Sequence, residues 1–454
     1  MDDLKHFYAI ISKTDDNCYV YDYINNEIWK ITNDEYQMFE HAIQTKNVLL
    51  TGNSSQTVKF ILNIKSGRFF SRNPVKFYGE KLPDYGYIIS FPVSHQCNLQ
   101  CRYCFAKSGE NYTGDVKKFS KDILNKIVPF LNQVSNHKIK KIRLEFVGGG
   151  ETFLHKNLFF ELLQTFENIA CENGIHLEVF VQTNGTMLDS DIVSFIKEHN
   201  LSLGISIDGP QYIHDYQRPF PNGKGSYDKV VENIRGLNNF WIVSVITSKT
   251  KSLVEVLHHN IVLGAKSMEI RIVRGGASEL ALTAESLIIF KKMYRELEEY
   301  FKANIDDIAI LLNNYDSWGK LIKRIITNEK VLYRCQAGNT KFSFAANGDI
   351  YPCDSFVGNS QYLLGNLNDT QIDITNHAVQ KSVDSIKQCS ECQYRYICGG
   401  ECYYHAICHS GDDVFCELQK YLIDLAIDLV YYIQTYQPEK YHVLKNIARL
   451  KNLV

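Results

Sequence analysis

Hydrophobic and polar positions follow one pattern in the first 85 residues and another from about Tyr87, and this change predicts a domain boundary. The first 85 residues contain short runs rich in aromatic and β-branched residues, HFYAIIS and CYVYDYINNEIWKIT, and then helical spacing from Asn33 to about Gln44. This pattern predicts three strands followed by a helix. We therefore expect a small α+β module at the start of the chain.

From about Tyr87, strand-like runs alternate with helical stretches. The strand-like runs are YIISFPVS, IRLEFV, HLEVFVQ, LSLGISI, FWIVSVIT and SMEIRIV. Strands that alternate with helices favour a parallel sheet with right-handed crossovers. Six strands are fewer than the eight of a closed barrel, so we expect an α/β fold with a partial (β/α)6 barrel. Its chemistry should lie at the C-terminal ends of the strands.

The last part of the chain is loop-rich and dense in cysteine. It lacks the long apolar runs of a large core, so we expect bound metal to stabilise it. The run KYLIDLAIDLVYYIQTY predicts an amphipathic helix packed on the domain. The predicted division is an N-terminal module, a barrel, a linker helix, a cysteine-rich domain and a C-terminal helix, at residues 1–85, 86–310, 311–332, 333–420 and 421–454.

Composition and charge narrow the possible partners. Lys plus Arg total 49 and Asp plus Glu total 51, a net charge of −2, which offers no electrostatic basis for binding nucleic acid or an anionic membrane. No apolar run approaches the ~18–20 residues of a transmembrane helix, and MDDLKHFYAI lacks a signal-peptide pattern. We expect a cytoplasmic protein, in a compartment where thiols stay reduced.

Three of the 13 cysteines follow the first barrel strand with the spacing C-x3-C-x2-C, at Cys97, Cys101 and Cys104. Three thiolates on one loop can hold three irons of a [4Fe–4S] cluster and leave the fourth iron open, and an open position is typical of a catalytic metal. One alternative is a zinc site completed by a distant ligand such as His95. The other is disulfide bonding, which a reducing compartment disfavours.

This arrangement resembles the radical S-adenosylmethionine (SAM) superfamily. The resemblance implies that the open iron chelates the amino and carboxylate groups of SAM. It also implies that the reduced cluster cleaves SAM to a 5′-deoxyadenosyl radical, which takes a hydrogen atom from the substrate. Tyr103 would then lie near the adenine. The segment Gly149, Gly150 and Glu151 matches the family's GGE motif, which contacts the SAM amine, although Thr152 stands where proline is usual.

Polar residues at later strand ends supply further candidates for SAM contacts. Asn184, Ser206 and Asp208 suit ribose hydroxyls. Arg218 resembles the family arginine that pairs with the SAM carboxylate, a role for which the planar guanidinium fork is suited. Without the resemblance, these residues are ordinary turn formers and a surface arginine.

Seven more cysteines follow an order that resembles the SPASM domain of peptide-modifying radical SAM enzymes. The resemblance implies two auxiliary [4Fe–4S] clusters, which with the SAM-binding cluster makes three. It assigns the first auxiliary cluster to Cys335, Cys353 and Cys402, and the second to Cys389, Cys392, Cys398 and Cys416. Two zinc ribbons are the alternative.

The first auxiliary cluster has three assigned ligands, whereas four are usual. Sulfatase-maturase relatives carry a further cysteine six residues after the first SPASM cysteine, and Lys341 occupies that position here. Either Cys408 supplies the fourth ligand, or one iron stays open to a substrate thiolate. The remaining cysteines, Cys18 and Cys171, are expected to be buried and inert.

The position of the N-terminal module ahead of the barrel suggests a substrate. Its order of strands and helix is similar to the RiPP recognition element, a winged-helix-like module that captures a leader peptide at a sheet edge. We therefore expect a maturase that forms Cys thioether cross-links in a ribosomally made precursor peptide with a leader. An external donor such as flavodoxin or ferredoxin would supply electrons.

Other activities remain open from the sequence. Cys353-Asp354 resembles the C-D pair of anaerobic sulfatase maturases, whose aspartate is the proposed base, so formylglycine formation is an alternative and Asp354 is the candidate catalytic base in either chemistry. Epimerisation and C–C cross-linking are further alternatives. An electron-transfer or zinc-binding scaffold is the non-enzymatic one.

Overall fold

Two β-sheets organise the part of the chain that the computed structural model describes, which is residues 9–22, 24–45, 86–106, 118–273, 278–369, 372, 374, 379–408 and 413–450. The strands are β1 (Ala9–Lys13), β2 (Cys18–Asp22), β3 (Glu27–Ile31), β4 (Tyr87–Ser90), β5 (Lys141–Phe146), β6 (His176–Thr183), β7 (Ser202–Ser206), β8 (Trp241–Ile246), β9 (Ser267–Ile272), β10 (Lys341–Phe344), β11 (Asp349–Tyr351) and β12 (Gly365–Asn366). The helices are α1 (Asn33–Thr45), α2 (Lys121–Ser135), α3 (Lys156–Asn173), α4 (Ser190–Glu198), α5 (Gln211–Gln217), α6 (Tyr227–Ile234), α7 (Leu253–Val262), α8 (Leu287–Ala303), α9 (Gly319–Thr327), α10 (Lys387–Ser390), α11 (Arg395–Cys398), α12 (Tyr403–Cys408), α13 (Val414–Tyr436) and α14 (Pro438–Leu450).

The N-terminal sheet has the antiparallel order β1-β2-β3, and α1 follows it. A capping box starts α1: the Glu35 backbone N–H donates to the Thr32 hydroxyl at 3.2 Å, and the Glu35 carboxylate accepts from the Thr32 N–H at 2.8 Å. The predicted three strands and helix are therefore present. The rest of the predicted winged-helix-like module, residues 46–85, lies outside the described residues.

The N-terminal sheet is joined to the remainder of the molecule by buried contacts. Its Ile10, Tyr19 and Tyr21 belong to the same hydrophobic core as the apolar face of α13. The Gln393 side chain accepts from the Ile11 N–H at 2.8 Å and donates to the Ile11 carbonyl at 3.1 Å. The outer edge of β1 is therefore covered at Ile11, which limits where a further strand can be added.

The second sheet confirms the predicted partial barrel. Its strands β4 to β9 are parallel and neighbour one another in sequence order, with the helices between them as crossovers. Alternate residues of β5 face opposite sides of this sheet. Ile142, Leu144 and Phe146 are fully buried in the core, while Arg143 and Glu145 face the barrel interior. α2 begins at an N-cap, where the Ser120 hydroxyl accepts from the backbone of the first turn.

The cysteine-rich part of the chain extends the barrel sheet, which the sequence did not predict. β10 pairs with β4 in parallel, with Lys341 opposite Ile88, and β11 and β12 follow as antiparallel strands. Backbone pairing therefore supports this region in addition to any metal. It also places Lys341, from the last third of the chain, inside the barrel.

The C-terminal part is helical and buried, as predicted, but its boundaries differ. α13 starts at Val414, earlier than the predicted 421, and α14 begins at Pro438, a residue suited to the first helical turn. α13 packs on α8 and α9 and buries thirteen of its residues. Within the described ranges, no helix is both long and apolar enough to cross a membrane.

Candidate active site

A cavity of about 310 Å³ opens where the barrel strands end. It is lined by the Cys97–Cys104 loop, by the segment after β5, by the ends of β6 to β9, and by the turn after β11. The predicted residues that it brings together are Cys97, Cys101, Tyr103, Cys104, Gly149, Gly150, Glu151, Asn184, Ser206, Arg218 and Asp354. Sequence elements more than 250 residues apart, Cys97 and Asp354, therefore face one space.

The loop of the first cysteine motif is held by backbone hydrogen bonds to the segment that ends α5. The Gln100 N–H donates to the Pro219 carbonyl and the Arg102 N–H to the Gln217 carbonyl, both at 2.9 Å. Burial raises the pKa of Cys97 to about 11 and that of Cys101 to about 12. Thiols in this environment need a bound cation to become thiolates, and iron supplies one, so the donor set fits a cluster.

The glycine segment packs directly against this loop. A Cβ atom at Gly150 would lie 2.3 Å from the Gln96 carbonyl oxygen and 2.5 Å from that of Ser94, so no larger residue fits. The adjacent Glu151 N–H donates to the same Gln96 carbonyl at 2.8 Å. The two segments thereby form one wall of the cavity.

Glu151 is almost fully buried and held by hydrogen bonds. Its carboxylate accepts from the Phe153 N–H at 3.1 Å, from the Asn184 N–H at 2.7 Å and from the Thr183 hydroxyl. Burial outweighs these donors and raises the pKa of Glu151 above its usual value. A cationic ligand beside the carboxylate would counter that penalty, which suits an amine.

Arg218 and Tyr103 are positioned by Asp208. The Asp208 carboxylate accepts from the Tyr103 hydroxyl at 2.7 Å and from the Gln217 amide at 2.8 Å, and its Oδ2 lies 3.0 Å from Arg218 Nε. Its other oxygen accepts from the Val245 N–H at 2.9 Å. Asp208 is fully buried and both of its oxygens accept from local donors, and ribose binding by it stays a prediction.

Asn184 and Ser206 both line the cavity and both make side-chain hydrogen bonds. The Asn184 amide donates to Asn98 at 2.9 Å, which ties the end of β6 to the cysteine loop, and its oxygen accepts from Thr186. The Ser206 hydroxyl accepts from the Gln182 amide at 3.3 Å. Ribose binding by these two residues stays a prediction.

The SPASM-like cysteines fall into two spatial groups, as the resemblance implied. Cys335, Cys353 and Cys402 lie close enough to interact electrostatically with one another. The other group is Cys389, Cys392, Cys398 and Cys416, from α10, α11, the turn between them and the first turn of α13. Burial raises the pKa of Cys389 to about 11 and that of Cys416 to about 12.

Lys341 faces the first of these groups. Its ammonium interacts with Cys335 and Cys353, and its Nζ lies 3.0 Å from the Glu145 carboxylate. Although burial opposes the charged form, Glu145 and Asp354 raise the pKa of Lys341 above its usual value, so it stays an ammonium. The Cys408 side chain lies outside the described residues, and its role as a ligand stays a prediction.

His95 is the distant ligand that the zinc alternative names. His95 accepts from the Ala346 N–H at 3.4 Å through Nε2, so that nitrogen is occupied. None of the described cysteines forms a disulfide. Among described residues, no three His, Cys, Asp or Glu side chains are arranged to hold a single metal ion. Cys18 is buried as predicted, but Cys171 is exposed on the solvent face of α3, so that prediction was wrong.

The sequence interpretation missed a group of charged residues inside the barrel, which we call the cavity charge cluster. Its members, which come from β5, β9, β10 and the turn after β11, are Arg143, Glu145, Glu269, Arg271, Lys341 and Asp354. Alternating charges in IRLEFV and SMEIRIV were the available signal, because charges are costly inside a parallel sheet unless paired. Within the cavity charge cluster, Arg143 Nε and Glu145 Oε1 form an ion pair at 3.1 Å.

Comparisons with known proteins identify the family. The radical SAM superfamily model matches residues 91–248, and the model of an iron–sulfur cluster-binding SPASM domain matches residues 335–393. An uncharacterised protein of Methanocaldococcus jannaschii is 30% identical over 283 residues, which are 61% of this chain and 87% of that protein. The chain belongs to the radical SAM superfamily. It is an enzyme of that superfamily with a SPASM domain, and SAM and iron–sulfur clusters are its cofactors.

Other relatives of this radical SAM enzyme have named activities. A cysteine-type anaerobic sulfatase-maturating enzyme of Clostridium novyi is 24% identical over 75% of this chain and 95% of its own. A serine-type enzyme of Bacteroides thetaiotaomicron is 26% identical over 70% and 82%. The solved structure of native anSMEcpe with bound AdoMet superposes with a TM-score of 0.59 at 21% identity, covering 79% of this chain and 99% of that one, which shows a shared fold.

Proposed function

We propose that this radical SAM enzyme oxidises a Cys residue of a ribosomally made precursor peptide and forms a thioether cross-link from its sulfur to a carbon. The main support is that one cavity holds the cysteine loop, the residues matched to SAM contacts, and Asp354 beside the first auxiliary cysteine group. A bound SAM and reduced [4Fe–4S] cluster supply a radical that removes a hydrogen atom. The chain's own residues then have to orient SAM and accept a proton.

The residues proposed to bind SAM contact different groups of the cofactor. Glu151 offers a buried carboxylate to the amine, and Arg218, held by Asp208, offers its guanidinium to the carboxylate. Tyr103 is fixed by its hydroxyl on Asp208, with its ring beneath Arg218 at 5.3 Å. Cys97, Cys101 and Cys104 would hold the SAM-binding cluster. Each group is positioned before SAM arrives, which lowers the cost of ordering it.

Asp354 is the proposed base for the substrate thiol. It begins a short 3₁₀ turn directly after Cys353, lines the cavity, and interacts with the cations of Arg271 and Lys341. Closing a sulfur–carbon bond takes a hydrogen atom from carbon and a proton from the thiol, and it releases one electron. The proton passes to Asp354, and the electron needs an acceptor; Cys335, Cys353 and Cys402 would hold an auxiliary iron–sulfur cluster that could supply one.

The second candidate is formylglycine formation, which the anaerobic sulfatase-maturating relatives favour. Both reactions pass the thiol proton to a base, but formylglycine formation takes the hydrogen atom from the Cys Cβ, whereas the cross-link takes it from the carbon that the sulfur will join. Two features favour the cross-link. Lys341 replaces a cysteine expected in those relatives, and the match to anSMEcpe, which covers 99% of that chain, leaves about a fifth of this one unmatched.

The proposed leader peptide would add to the N-terminal sheet at β3. Gln393 covers the edge of β1 at Ile11, whereas among the described strands none pairs with β3 on the side away from β2. The alternation of hydrogen-bonded pairs places the Lys30 N–H on that outer side. Lys30→Pro should weaken leader binding, while Lys30→Ala should not. Equal leader affinity of both variants would contradict this placement.

One experiment tests the function and separates the two products. Holoenzyme, SAM and reductant are incubated with a Cys-containing precursor peptide, and 5′-deoxyadenosine and peptide mass are measured. A cross-link removes two hydrogen atoms from the peptide, whereas formylglycine also exchanges sulfur for oxygen. The variant with Cys97, Cys101 and Cys104 all changed to Ala should form no 5′-deoxyadenosine yet keep the auxiliary iron. SAM cleavage by that variant would refute the proposal.

A further inference from the structure

Arg143 lies within the barrel on β5 and lines the cavity. Its single ion pair among the described residues joins Nε to Glu145 Oε1 at 3.1 Å. Among the described residues, neither Nε, which is buried, nor the two terminal nitrogens donate a hydrogen bond. Although burial opposes the charge, Tyr315 and Glu145 raise the pKa of Arg143 above its usual value, so it is a cation whose fork has donors left for a ligand.

Two aromatic rings hold this guanidinium in place. Its central carbon lies 5.4 Å from the Phe180 ring centroid and 5.1 Å from that of Tyr315. Phe180 in turn stacks on Trp241 at 4.4 Å, and Gly204 leaves the room that Trp241 occupies. The rings close the cavity beneath Arg143 and fix its plane, so the fork is oriented before any ligand binds.

The charge of Arg143 is not neutralised by a carboxylate of its own. Glu145 also pairs with Lys341, through its other oxygen at 3.0 Å. Arg271 provides the contrast, since its Nε and Nη2 both donate to Glu269, at 3.0 and 2.5 Å. Of these two cavity arginines, Arg143 is the one with its fork still available for an incoming acceptor.

We propose that Arg143 is a carboxylate-binding site that recognises an acidic residue of the substrate peptide. The fork and a carboxylate have matching bidentate geometry, and this geometry distinguishes an acid from its amide. The proposal rests on the proposed function in one respect, since it names a feature of the peptide that enters the same cavity. A substrate with Asp or Glu near the reacting Cys would reach the cavity floor while its thiol lies near Asp354.

SAM is the other possible source of a carboxylate in this cavity. The contacts of Arg218, which are with Asp208, Tyr103 and Cys101, place that arginine at the cysteine loop. The contacts of Arg143 are with Glu145, Phe180 and Tyr315, none of which belongs to the cysteine loop. This separation assigns the SAM carboxylate to Arg218 and leaves Arg143 for the peptide.

The test measures equilibrium binding with defined probes. Holoenzyme saturated with SAM is titrated calorimetrically with four N-acetylated, C-amidated tripeptides that have Asp, Asn, Glu or Gln between two glycines. At least one acid should bind about tenfold or more tightly than its amide. Arg143→Gln should abolish that preference, and Arg143→Lys, which keeps the charge but not the fork, should reduce it. Arg271→Lys is the matched control and should retain it.

Several outcomes overturn the inference. These are equal affinity of acids and amides in the wild-type protein, an undiminished preference in both Arg143 variants, and a preference that appears without SAM and disappears when SAM is bound. The last outcome would assign Arg143 to SAM. SAM cleavage is assayed on the same preparation: if it fails while the acid preference persists, the proposed function is wrong and the carboxylate site stands.

Discussion

Two charge clusters in this molecule differ in how completely their arginines are paired with carboxylates. The junction charge cluster, formed by Arg295, Glu298 and Lys302 of α8 with Asp428 of α13, joins the N-terminal sheet to the helices. There, Arg295 lies within ion-pair distance of four carboxylates. In the cavity charge cluster, Arg143 has one carboxylate partner among the described residues.

The contrast separates a structural role from a functional one. Where every donor has an acceptor within the protein, a network orders two elements and offers nothing to a ligand. Where a guanidinium fork keeps its donors, a ligand can still accept hydrogen bonds from it. Breaking the junction cluster should therefore reduce stability but not chemistry, and breaking the cavity cluster should do the reverse.

The largest expected effect is that of Asp428→Ala at the junction. Asp428 accepts from the Tyr19 hydroxyl and lies 3.3 Å from Lys302 Nζ, so its loss leaves that hydroxyl without its acceptor and removes one carboxylate from Lys302 and Arg295. We expect the free energy of unfolding to fall by about 3–5 kcal/mol, with SAM cleavage per folded molecule unchanged. Denaturant unfolding measures this. Glu299→Ala, at the exposed rim, should cost less than about 1 kcal/mol, and equal losses would contradict the comparison.

Next is Lys341→Met in the cavity charge cluster. Glu145 keeps Arg143 as a partner, so stability should fall less than in Asp428→Ala. Peptide modification should slow by about 100-fold, because Asp354 loses a neighbouring cation that helps to place it. The measurement is the rate of peptide product against the rate of SAM cleavage without peptide. A parallel fall in both rates, or none in either, would refute a role for Lys341 in the peptide step.

A third expectation concerns pH at the junction. Burial, reinforced by Asp428, raises the pKa of Glu298 to about 8. A carboxyl whose pKa is higher folded than unfolded binds more protons in the folded state, so stability falls as pH rises from about 4.5 to about 8. Glu298→Gln should reduce this decline by roughly 1–2 kcal/mol. Melting temperatures at several pH values check it, and identical slopes for both proteins would show that Glu298 is ionised throughout.

The smallest effect is expected for Gln393→Ala. This change removes the two hydrogen bonds to Ile11 that cover the edge of β1, at a cost of about 1–2 kcal/mol. Proteolysis within the N-terminal sheet should become faster while SAM cleavage stays the same. Deleting the whole N-terminal module would be a poorer test, because Tyr19 and Tyr21 are part of the main core. Unchanged proteolysis would show that the sheet is held by its core contacts alone.

Local spacing in the chain was enough to predict the parts of this enzyme. Cys97, Cys101 and Cys104 are separated by turns of one loop, and the strand–helix alternation repeats over short distances, so both patterns are visible along the sequence. The first strands and α1 were predicted for the same reason. The error at Cys171 arose because a helical pattern shows periodicity but not which face is covered.

Pairing between distant segments determined the remaining features of the site. Strand register and packing bring together residues whose separation along the sequence follows no pattern. β10 adds to β4 across about 250 residues, and this pairing alone places Lys341 against Glu145 and Asp354. The free fork of Arg143 likewise depends on what its neighbours bind, because Glu145 is shared while Glu269 is taken by Arg271. A charged residue in a buried strand indicates from the sequence that it needs a partner or a ligand. Only the tertiary structure determines which of the two it has.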